Sequence, residues 1–221
     1  MNLGLDKRRE VFDTVLNVQE RSLLTTALNA KQRILKTAAN LFWENSFEAT
    51  GVAQILKSSK VGSGSLYWFF DTKEDLLLAI LDDYATKLRP VIATPAFNKS
   101  GDSLERIFLI LDGYREVLLN TDFRLGCPIG NIVLELGNRY PRVREKTEKL
   151  FAAWREMIIE CLSELSDNLP RDTQFESLAI LVLSIMEGGI MQARLHKDIK
   201  YFDAGVLHLK NYFSLLIGRG N

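Results

Sequence analysis

Small polar and aromatic residues crowd into one short stretch of the chain, Val61-Gly62-Ser63-Gly64-Ser65-Leu66-Tyr67-Trp68-Phe69-Phe70. Short hydroxyl side chains can bond to phosphates or base edges, and a glycine lets a helix backbone approach a duplex closely. The neighbouring aromatic side chains can contact sugar, phosphate or a thymine methyl group. This combination is typical of a short helix that reads DNA.

The residues before this stretch predict two helices that would position it. Arg33 to Phe42 places its apolar side chains on one helical face. Thr50 stands where the N-cap of a second helix, Val52 to Lys57, is expected. Ser58 to Gly62 leaves room only for a tight turn before a third helix opens near Ser63. This order of elements is the helix-turn-helix plan.

These residues resemble the TetR (tetracycline repressor) family of one-component bacterial transcription regulators. The resemblance runs from about Lys31 to Leu81. It rests on Arg33 to Phe42 as the first helix and on further matching positions along the motif: Phe47-Glu48-Ala49-Thr50, Gly64-Ser65-Leu66-Tyr67, Phe70, Lys73, Glu74 and Leu76.

The chain departs from the family pattern at the turns of the motif. Ser46 and Lys60 stand where the family usually has glycine, and Asp71 stands where proline is frequent. Glycine serves positive backbone torsions there. A non-glycine residue in that conformation costs about 1 kcal/mol. In the first turn, Asn45 could take the left-handed position in place of Ser46.

DNA contact is expected from the motif and the residues around it. Tyr67 and Lys73 fit phosphate contacts because the resemblance implies that role at these positions. Gln54 is the candidate for base readout, since the short helix carries no Arg, Asn or Gln. Leu66 and Phe70 are expected in the core. The full expected set is Thr50, Gln54, Lys60, Ser63, Gly64, Ser65, Tyr67, Trp68 and Lys73.

Composition places the chain among soluble globular proteins. Its 221 residues include 28 basic and 28 acidic side chains, and 47% are hydrophobic. Because no run of about 18 apolar residues and no apolar signal core occurs, we expect a cytoplasmic protein without a membrane partner. Between Lys31 and Lys73 basic residues outnumber acidic ones. This excess predicts a weakly basic DNA-facing part on a neutral body.

Cysteine and histidine are scarce. Cys127, Cys161, His196 and His208 lack the spacing of metal ligands or of a disulfide framework. We therefore expect no metal and no cofactor. Cys127 is either a redox sensor or a small buried residue, and we favour the second interpretation.

Downstream of the motif, apolar periodicity predicts six more helices and no strand. Thr72 and Asp75 resemble a capping box at the start of a helix that would link the DNA-binding part to the rest and stop at Arg89-Pro90. Further helices are predicted from Asp102 or Ser103, from Pro128, and across Arg142 to Leu165, Asp172 to His196 and Phe202 to Ile217.

The predicted fold is all-α, as in the family: an N-terminal three-helix helix-turn-helix DNA-binding domain and a C-terminal six-helix ligand-binding and dimerisation domain. We place the first domain at residues 29–75 and the second at residues 76–221, after an N-terminal extension of residues 1–28. The extension could form an amphipathic helix, send Lys7, Arg8 and Arg9 into the minor groove as a basic arm, or simply be mobile.

The resemblance implies an apolar effector cavity among the C-terminal helices. Polar side chains that point inward are then the candidates for binding the effector. Residues such as Trp154 and Met191 are more often plain core, and Glu135 could instead cap a helix or face solvent. Gly126 to Asn131, together with Leu134-Glu135-Leu136, resembles one subgroup of the family. The expected ligand-binding residues are Tyr114, Asn131, Glu135, Trp154, Glu187 and Met191.

Two C-terminal helices are too apolar to be left in water. Gly188-Gly189 would cost about 2 kcal/mol inside a helix, which close approach of another helix would explain. We therefore expect a four-helix dimer interface as in the family, with an interior helix pair of a monomer as the alternative. The expected interface residues are Leu178, Leu181, Val182, Ile185, Gly188, Gly189, Phe202, Val206, Leu209 and Phe213.

These features predict a ligand-responsive, DNA-binding transcriptional repressor. It would bind a palindromic double-stranded DNA operator as a homodimer and be released by a small-molecule effector of unknown identity, which would shift the linking helix. The alternative is an α-helical enzyme or small-molecule and lipid-binding protein with a vestigial helix-turn-helix, but no nucleophile elbow, phosphate loop or His-Glu-x-x-His motif occurs. Regulation by a partner protein or by oxidation of Cys127 is a third hypothesis.

Overall fold

The computed structural model describes residues 18–62, 64–87 and 98–220, and this part of the chain holds helices and turns without a strand. The all-α prediction is confirmed. The helices are α1 Val18–Asn45, α2 Val52–Ser59, α3 Ser65–Phe69, α4 Lys73–Lys87, α5 Ser103–Asn120, α6 Pro128–Leu136, α7 Pro141–Glu164, α8 Phe175–His196 and α9 Lys200–Gly220, with a 3₁₀ turn at Ser166–Asn168.

The N-terminal part is a small bundle in which α1 packs against α2, α3 and α4. Its centre is apolar: Ile34, Ile55 and Leu66 are fully buried, and Phe70 is nearly so. Leu66 and Phe70 therefore lie in the core, as predicted. The first helix is longer than the sequence pattern suggested, because its backbone already begins at Val18 and so continues into the predicted extension. Residues 1–17, where the basic arm was placed, lie outside the described residues.

Two turns of the motif contain non-glycine residues with a left-handed backbone. Ser46 has φ 75° and Lys60 has φ 55°. The alternative that Asn45 takes the first left-handed position is wrong. Hydrogen bonds to the preceding helix hold both residues, since the Ser46 amide donates to the Phe42 carbonyl at 3.0 Å and the Lys60 amide to the Lys57 carbonyl at 3.3 Å. Closing each turn in this way offsets a backbone cost of about 1 kcal/mol.

Thr50 does not cap α2. The N-cap is Gly51, which makes no side-chain bond. The Thr50 hydroxyl instead donates to the Ser46 carbonyl at 2.7 Å, and its residue is fully buried. The predicted cap is wrong because the hydroxyl satisfies a carbonyl in the turn that follows α1 and not an amide at the start of α2.

Helix α4 connects the two parts of the molecule, since it packs on α1 and also on α7. Its start shows the predicted capping box: the Asp75 amide donates to Thr72 Oγ1 at 3.0 Å, and the Thr72 hydroxyl donates to Asp75 Oδ2 at 2.6 Å. Arg142 of α7 bonds to the same carboxylate at 2.9 Å. The bonds from Thr72 and then from Arg142 lower the pKa of Asp75.

The C-terminal part is built around α7, which packs on α4, α5, α6 and α8. Asp102 caps α5 and Pro128 opens α6, both as predicted. Helix α8 is long and apolar enough to cross a membrane by length and composition alone, yet 44% of its apolar window is buried inside the protein. It packs along α9 and against α7, so it is a core helix of this domain.

Candidate functional site

The outward face of α3 is aromatic. Tyr67 is 59% exposed and Trp68 is 81% exposed. Leu66, which directly precedes them, is buried and anchors α3 in the core. Gly64 caps the helix at the surface, and no atom lies within 4 Å of the position of a side chain there. A duplex can therefore approach the backbone at the start of α3 without steric hindrance.

The other predicted contact residues lie around this face with different accessibility. Gln54 on α2 and Lys60 in the turn are exposed. Ser65 is half-buried and donates its amide to the Gly62 carbonyl at 2.9 Å. Ser63 lies outside the described residues. Thr50 is fully buried, so the expectation that it contacts DNA is wrong.

Lys73 stands at the start of α4 and is half-buried. Its Nζ atom lies 4.2 Å from the centroid of the Phe47 ring, a cation–π geometry. Burial lowers the pKa of Lys73, against the opposing charges of Glu48 and Glu135. The side chain is thus held at the turn between α1 and α2, where its charge also faces two carboxylates.

Glu135, near the end of α6, binds the turn between α1 and α2, residues 46–51, which we name the α1–α2 corner. Its carboxylate accepts from the Phe47 amide at 3.1 Å and from the Glu48 amide at 2.7 Å. The sequence placed Glu135 in an effector cavity, and this was wrong. The carboxylate serves two backbone amides of the DNA-binding part, because that turn leaves them without backbone partners.

Other contacts join the two parts beside this carboxylate. Trp43 of α1 donates its indole N–H to the Gly126 carbonyl at 2.8 Å. The Phe47 and Tyr140 rings meet edge to face at 5.6 Å, and Arg139 pairs with Glu48 at 2.9 Å. The ends of α6 and the loops that flank it are therefore attached to α1 and to the α1–α2 corner.

The start of α6 belongs to a different environment, an interior group of residues that we name the buried polar cluster: Tyr114, Cys127, Trp154 and Glu187. Cys127 and Trp154 are buried, and Tyr114 and Glu187 are partly buried. The Tyr114 hydroxyl lies 3.8 Å from Cys127 Sγ, and the Tyr114 and Trp154 rings are 6.1 Å apart. The Glu187 carboxyl group lies close enough to the Cys127 thiol to affect its pKa. A side chain at Gly130 would meet Glu187 Oε2 at 2.5 Å, so the carboxyl group occupies space that only glycine leaves open.

Burial governs the protonation of this cluster. It raises the pKa of Cys127 to about 12, with the Glu187 charge adding to the effect. It also raises the pKa of Tyr114 and of Glu187. Two buried polar atoms of the cluster have no hydrogen-bond partner, Trp154 Nε1 and Glu187 Oε1. Unpartnered buried polar atoms are costly, and a ligand that bonds to them would remove that cost.

A narrow apolar gap, too small for a water molecule, adjoins the cluster at Trp154. It is lined by Ile107, Ile110, Leu111, Trp154, Ile158, Val182, Leu183 and Met186. Asn131 lies beside the cluster, where its side-chain carbonyl accepts from Arg194 at 3.0 Å. Met191 is 59% exposed and faces away from the interior, so its predicted place in a cavity is wrong.

Most of the predicted interface residues are buried inside one chain and are not available to a partner. A side chain at Gly189 would meet Phe202 Cδ2 at 3.0 Å, so the close approach predicted for the glycine pair occurs between α8 and α9 of the same chain. Nothing approaches Gly188. The buried ones are Leu178, Val182, Gly189, Phe202, Val206, Leu209 and Phe213, which leaves Leu181, Ile185 and Gly188 at least partly accessible.

Helices α8 and α9 carry an exposed apolar face of which only Leu181 was predicted as an interface residue. Leu181, Met191 and Leu195 lie on one side of α8, because at 3.6 residues per turn their separations of ten and four residues keep them within about 80° of one another around the helix axis. This spacing was the available signal, but the periodicity does not show which of two apolar faces is turned inward. The exposed apolar side chains on the two helices are Ile180, Leu181, Met191, Leu195, Leu207, Tyr212 and Leu215.

Comparison with known proteins assigns both parts of the chain. Residues 34–80 match the family "Bacterial regulatory proteins, tetR family", and residues 103–205 match the family "Transcriptional regulator LmrA/YxaF-like, C-terminal domain". Within the part that the structure describes, no group of His, Cys, Asp or Glu is arranged to hold a metal ion.

Relatives extend this likeness over most of the chain. An uncharacterised helix-turn-helix-type transcriptional regulator of Mycobacterium tuberculosis is 31% identical over 186 residues, which cover 82% of this chain and 92% of that protein. The uncharacterised regulator YxaF of Bacillus subtilis is 29% identical, with 79% of this chain and 90% of that protein covered.

A solved structure shows the same fold. The regulatory protein TetR from Rhodobacter sphaeroides superposes with a TM-score of 0.74 at 24% identity, covering 81% of this chain and 96% of that one. The matched families and the relatives named above are transcriptional regulators and not enzymes. The chain therefore belongs to the TetR family and is a DNA-binding transcriptional regulator.

Proposed function

We propose that the protein is a cytoplasmic, ligand-responsive repressor, which binds a palindromic operator as a homodimer and is released by a small-molecule effector. One observation carries the sensing part of this proposal. Helix α6 takes part in the buried polar cluster through Cys127 and Gly130 at its start, and it bonds to the α1–α2 corner through Glu135 near its end. A single helix of nine residues thus contacts both the buried polar cluster and the DNA-binding part.

The release step follows from this arrangement. An effector that enters the cluster has to displace Glu187 or Cys127, and either displacement shifts α6. Because Glu135 bonds to two adjacent amides, the α1–α2 corner follows the helix, and α2 and α3 turn with it. Helix α4 gives a second connection, through Arg142 of α7 to Asp75. Operator and effector then oppose each other reciprocally, typically by about 1 to 3 kcal/mol.

On the DNA side, we propose that α3 enters the major groove. Its exposed side chains Tyr67 and Trp68 would face the DNA, and Gly64 would lie against the DNA backbone. Gln54 on α2 and Lys60 in the turn lie on the exposed side of the motif and add contacts. Because α3 carries no Arg, Asn or Gln, water-mediated contacts and DNA shape supply much of the specificity. Two copies related by a two-fold axis read half-sites about one helical turn apart.

We place the dimer contact on the exposed apolar face of α8 and α9. Leu195 is 74% exposed and Leu215 is 64% exposed. Apolar side chains so concentrated on two adjacent helices are typical of a face that is covered in the functional assembly. A second copy would cover them with the same face, and the two α8–α9 pairs would form a four-helix contact.

Sedimentation of the Leu195→Glu variant tests this placement. A carboxylate buried in an apolar contact is strongly unfavourable, so we expect a monomer at concentrations at which the wild type is a dimer. The matched control is Leu134→Glu on α6, because Leu134 is 83% exposed and lies on neither α8 nor α9. A wild-type monomer, or equal behaviour of the two variants, contradicts the proposed dimer.

A further inference from the structure

We propose that the buried polar cluster binds hydrophobic amines, with the protonated nitrogen paired to Glu187 and the apolar body inserted into the adjoining gap. This inference deepens the proposed function and rests on it, since it names the chemical class of the effector.

One oxygen of the Glu187 carboxyl group is unpaired. The Oε1 atom is buried without a hydrogen-bond partner, while the carboxyl group faces Cys127 and the open position at Gly130. Burial of the carboxyl group raises its pKa, and no charged group offsets that effect. A donor that also carries a positive charge satisfies the oxygen and stabilises the ionised carboxylate.

The protein itself does not supply that cation. Within the described residues, Glu187 forms no salt bridge. Arg194, two turns further along α8, bonds to other groups. Its guanidinium donates to the Asn131 side chain at 3.0 Å and to the Arg124 carbonyl at 3.2 Å. No basic side chain among residues 18–62, 64–87 and 98–220 forms an ion pair with Glu187, so the position is open to a cation carried by a ligand.

Two aromatic rings form a wall of the cluster. Tyr114 and Trp154 lie with their ring centroids 6.1 Å apart, and aromatic faces attract ammonium groups. Trp154 is 1% exposed, and its Nε1 atom has no acceptor. An ether or carbonyl oxygen on the ligand would accept this bond. A carboxylate ligand would instead meet the like charge of Glu187.

The apolar body of the ligand would enter the gap beside Trp154. The gap beside Trp154 is lined by aliphatic side chains such as Leu111 and Met186 and is too narrow even for water. A ligand must therefore displace side chains. Met186 is suited to this movement because it is unbranched and flexible. It also directly precedes Glu187 on α8, so one helix carries both the flexible side chain at the gap and the carboxyl group.

Calorimetric titration of the full chain with matched probes tests the proposal. The probes are an amine, an alcohol and a carboxylate on each of three frameworks: benzyl, naphthylmethyl and biphenylmethyl. For a framework that fits, we expect the amine to bind at least about tenfold more tightly than the alcohol, and the carboxylate not to bind. Glu187→Gln is expected to weaken the amine about tenfold and to leave the alcohol within about twofold.

Glu176→Gln is the matched control, since Glu176 lies on the same helix, is exposed and pairs with Arg155. It should leave all affinities unchanged. Circular dichroism confirms that both variants are folded. The proposal is overturned if no amine binds more tightly than its alcohol, or if Glu187→Gln and wild type bind the amines equally.

Release of operator DNA is measured separately by gel shift with the same probes. Glu187-dependent amine binding without release supports the binding site and contradicts the effector part of the proposed function. Release by alcohols and amines alike, without dependence on Glu187, supports the proposed function and overturns the amine inference.

Discussion

Removal of the Glu135 carboxylate is expected to weaken the attachment of α6 to the α1–α2 corner. The carboxylate accepts two amide bonds, at 3.1 Å from buried Phe47 and at 2.7 Å from exposed Glu48. A bond to a charged group contributes about 1.5 to 3 kcal/mol, and water can replace the exposed one almost fully. Water replaces little of the bond to the buried Phe47 amide, so most of the stabilisation from that bond is lost. We therefore expect Glu135→Ala to lower the free energy of unfolding by about 2 kcal/mol.

Urea denaturation followed by circular dichroism, at fixed protein concentration, measures this loss. Glu135→Gln should fall between wild type and Glu135→Ala, because the amide keeps one acceptor oxygen. The control is Glu145→Ala, since Glu145 is exposed on α7 and contacts Lys149 one turn away. A Glu135→Ala protein within about 0.5 kcal/mol of wild type would refute the attachment of the two parts through this carboxylate.

The remaining predictions concern the buried polar cluster. Gly130→Ala should destabilise by about 1 kcal/mol, because Glu187 must move away from a new methyl group that would lie 2.5 Å from its Oε2 atom. Gly113→Ala, with no atom within 4 Å, should stabilise by about 0.5 to 1 kcal/mol, and urea denaturation of both variants measures the two effects. Since burial raises the pKa of Cys127 to about 12 and of Cys161 to about 11, both thiols should resist a disulfide reagent at neutral pH in the folded protein and react after unfolding. Fast native labelling of Cys127 would instead favour regulation by oxidation. Burial raises the pKa of Glu187, so its proton binds more tightly in the folded state than in the unfolded state. Glu187→Gln should therefore be more stable than wild type above the folded-state pKa and lose that advantage as the pH falls through it, as denaturation at several pH values would show.

Local patterns made the helix-turn-helix predictable. Leu66 and Phe70 are spaced to anchor a short helix, and the Thr72–Asp75 pair is a capping signal that depends only on neighbouring residues. The left-handed residue after α1 was harder to assign, because Asn45 and Ser46 are adjacent and the packing of the corner selects between them.

Long-range contacts were not predictable. Periodicity shows that Val182 and Phe202 are buried, but it does not distinguish burial within one chain from burial against a second copy. Glu135 looked like a cavity residue because it is a polar side chain between the apolar residues Leu134 and Leu136, whereas its partners are amides 87 and 88 positions away. No sequence signal marks a backbone amide that lacks a partner.

Selection of bound sequences from a random duplex DNA pool tests the central claim most directly. We expect wild type, with the dimer confirmed by sedimentation, to enrich a palindrome with half-sites about one helical turn apart. Tyr67→Ala and Trp68→Ala should bind that palindrome weakly, and Leu195→Glu should fail to enrich it. The absence of any enriched sequence at low salt, or enrichment that does not depend on the α3 aromatic side chains, would contradict the account.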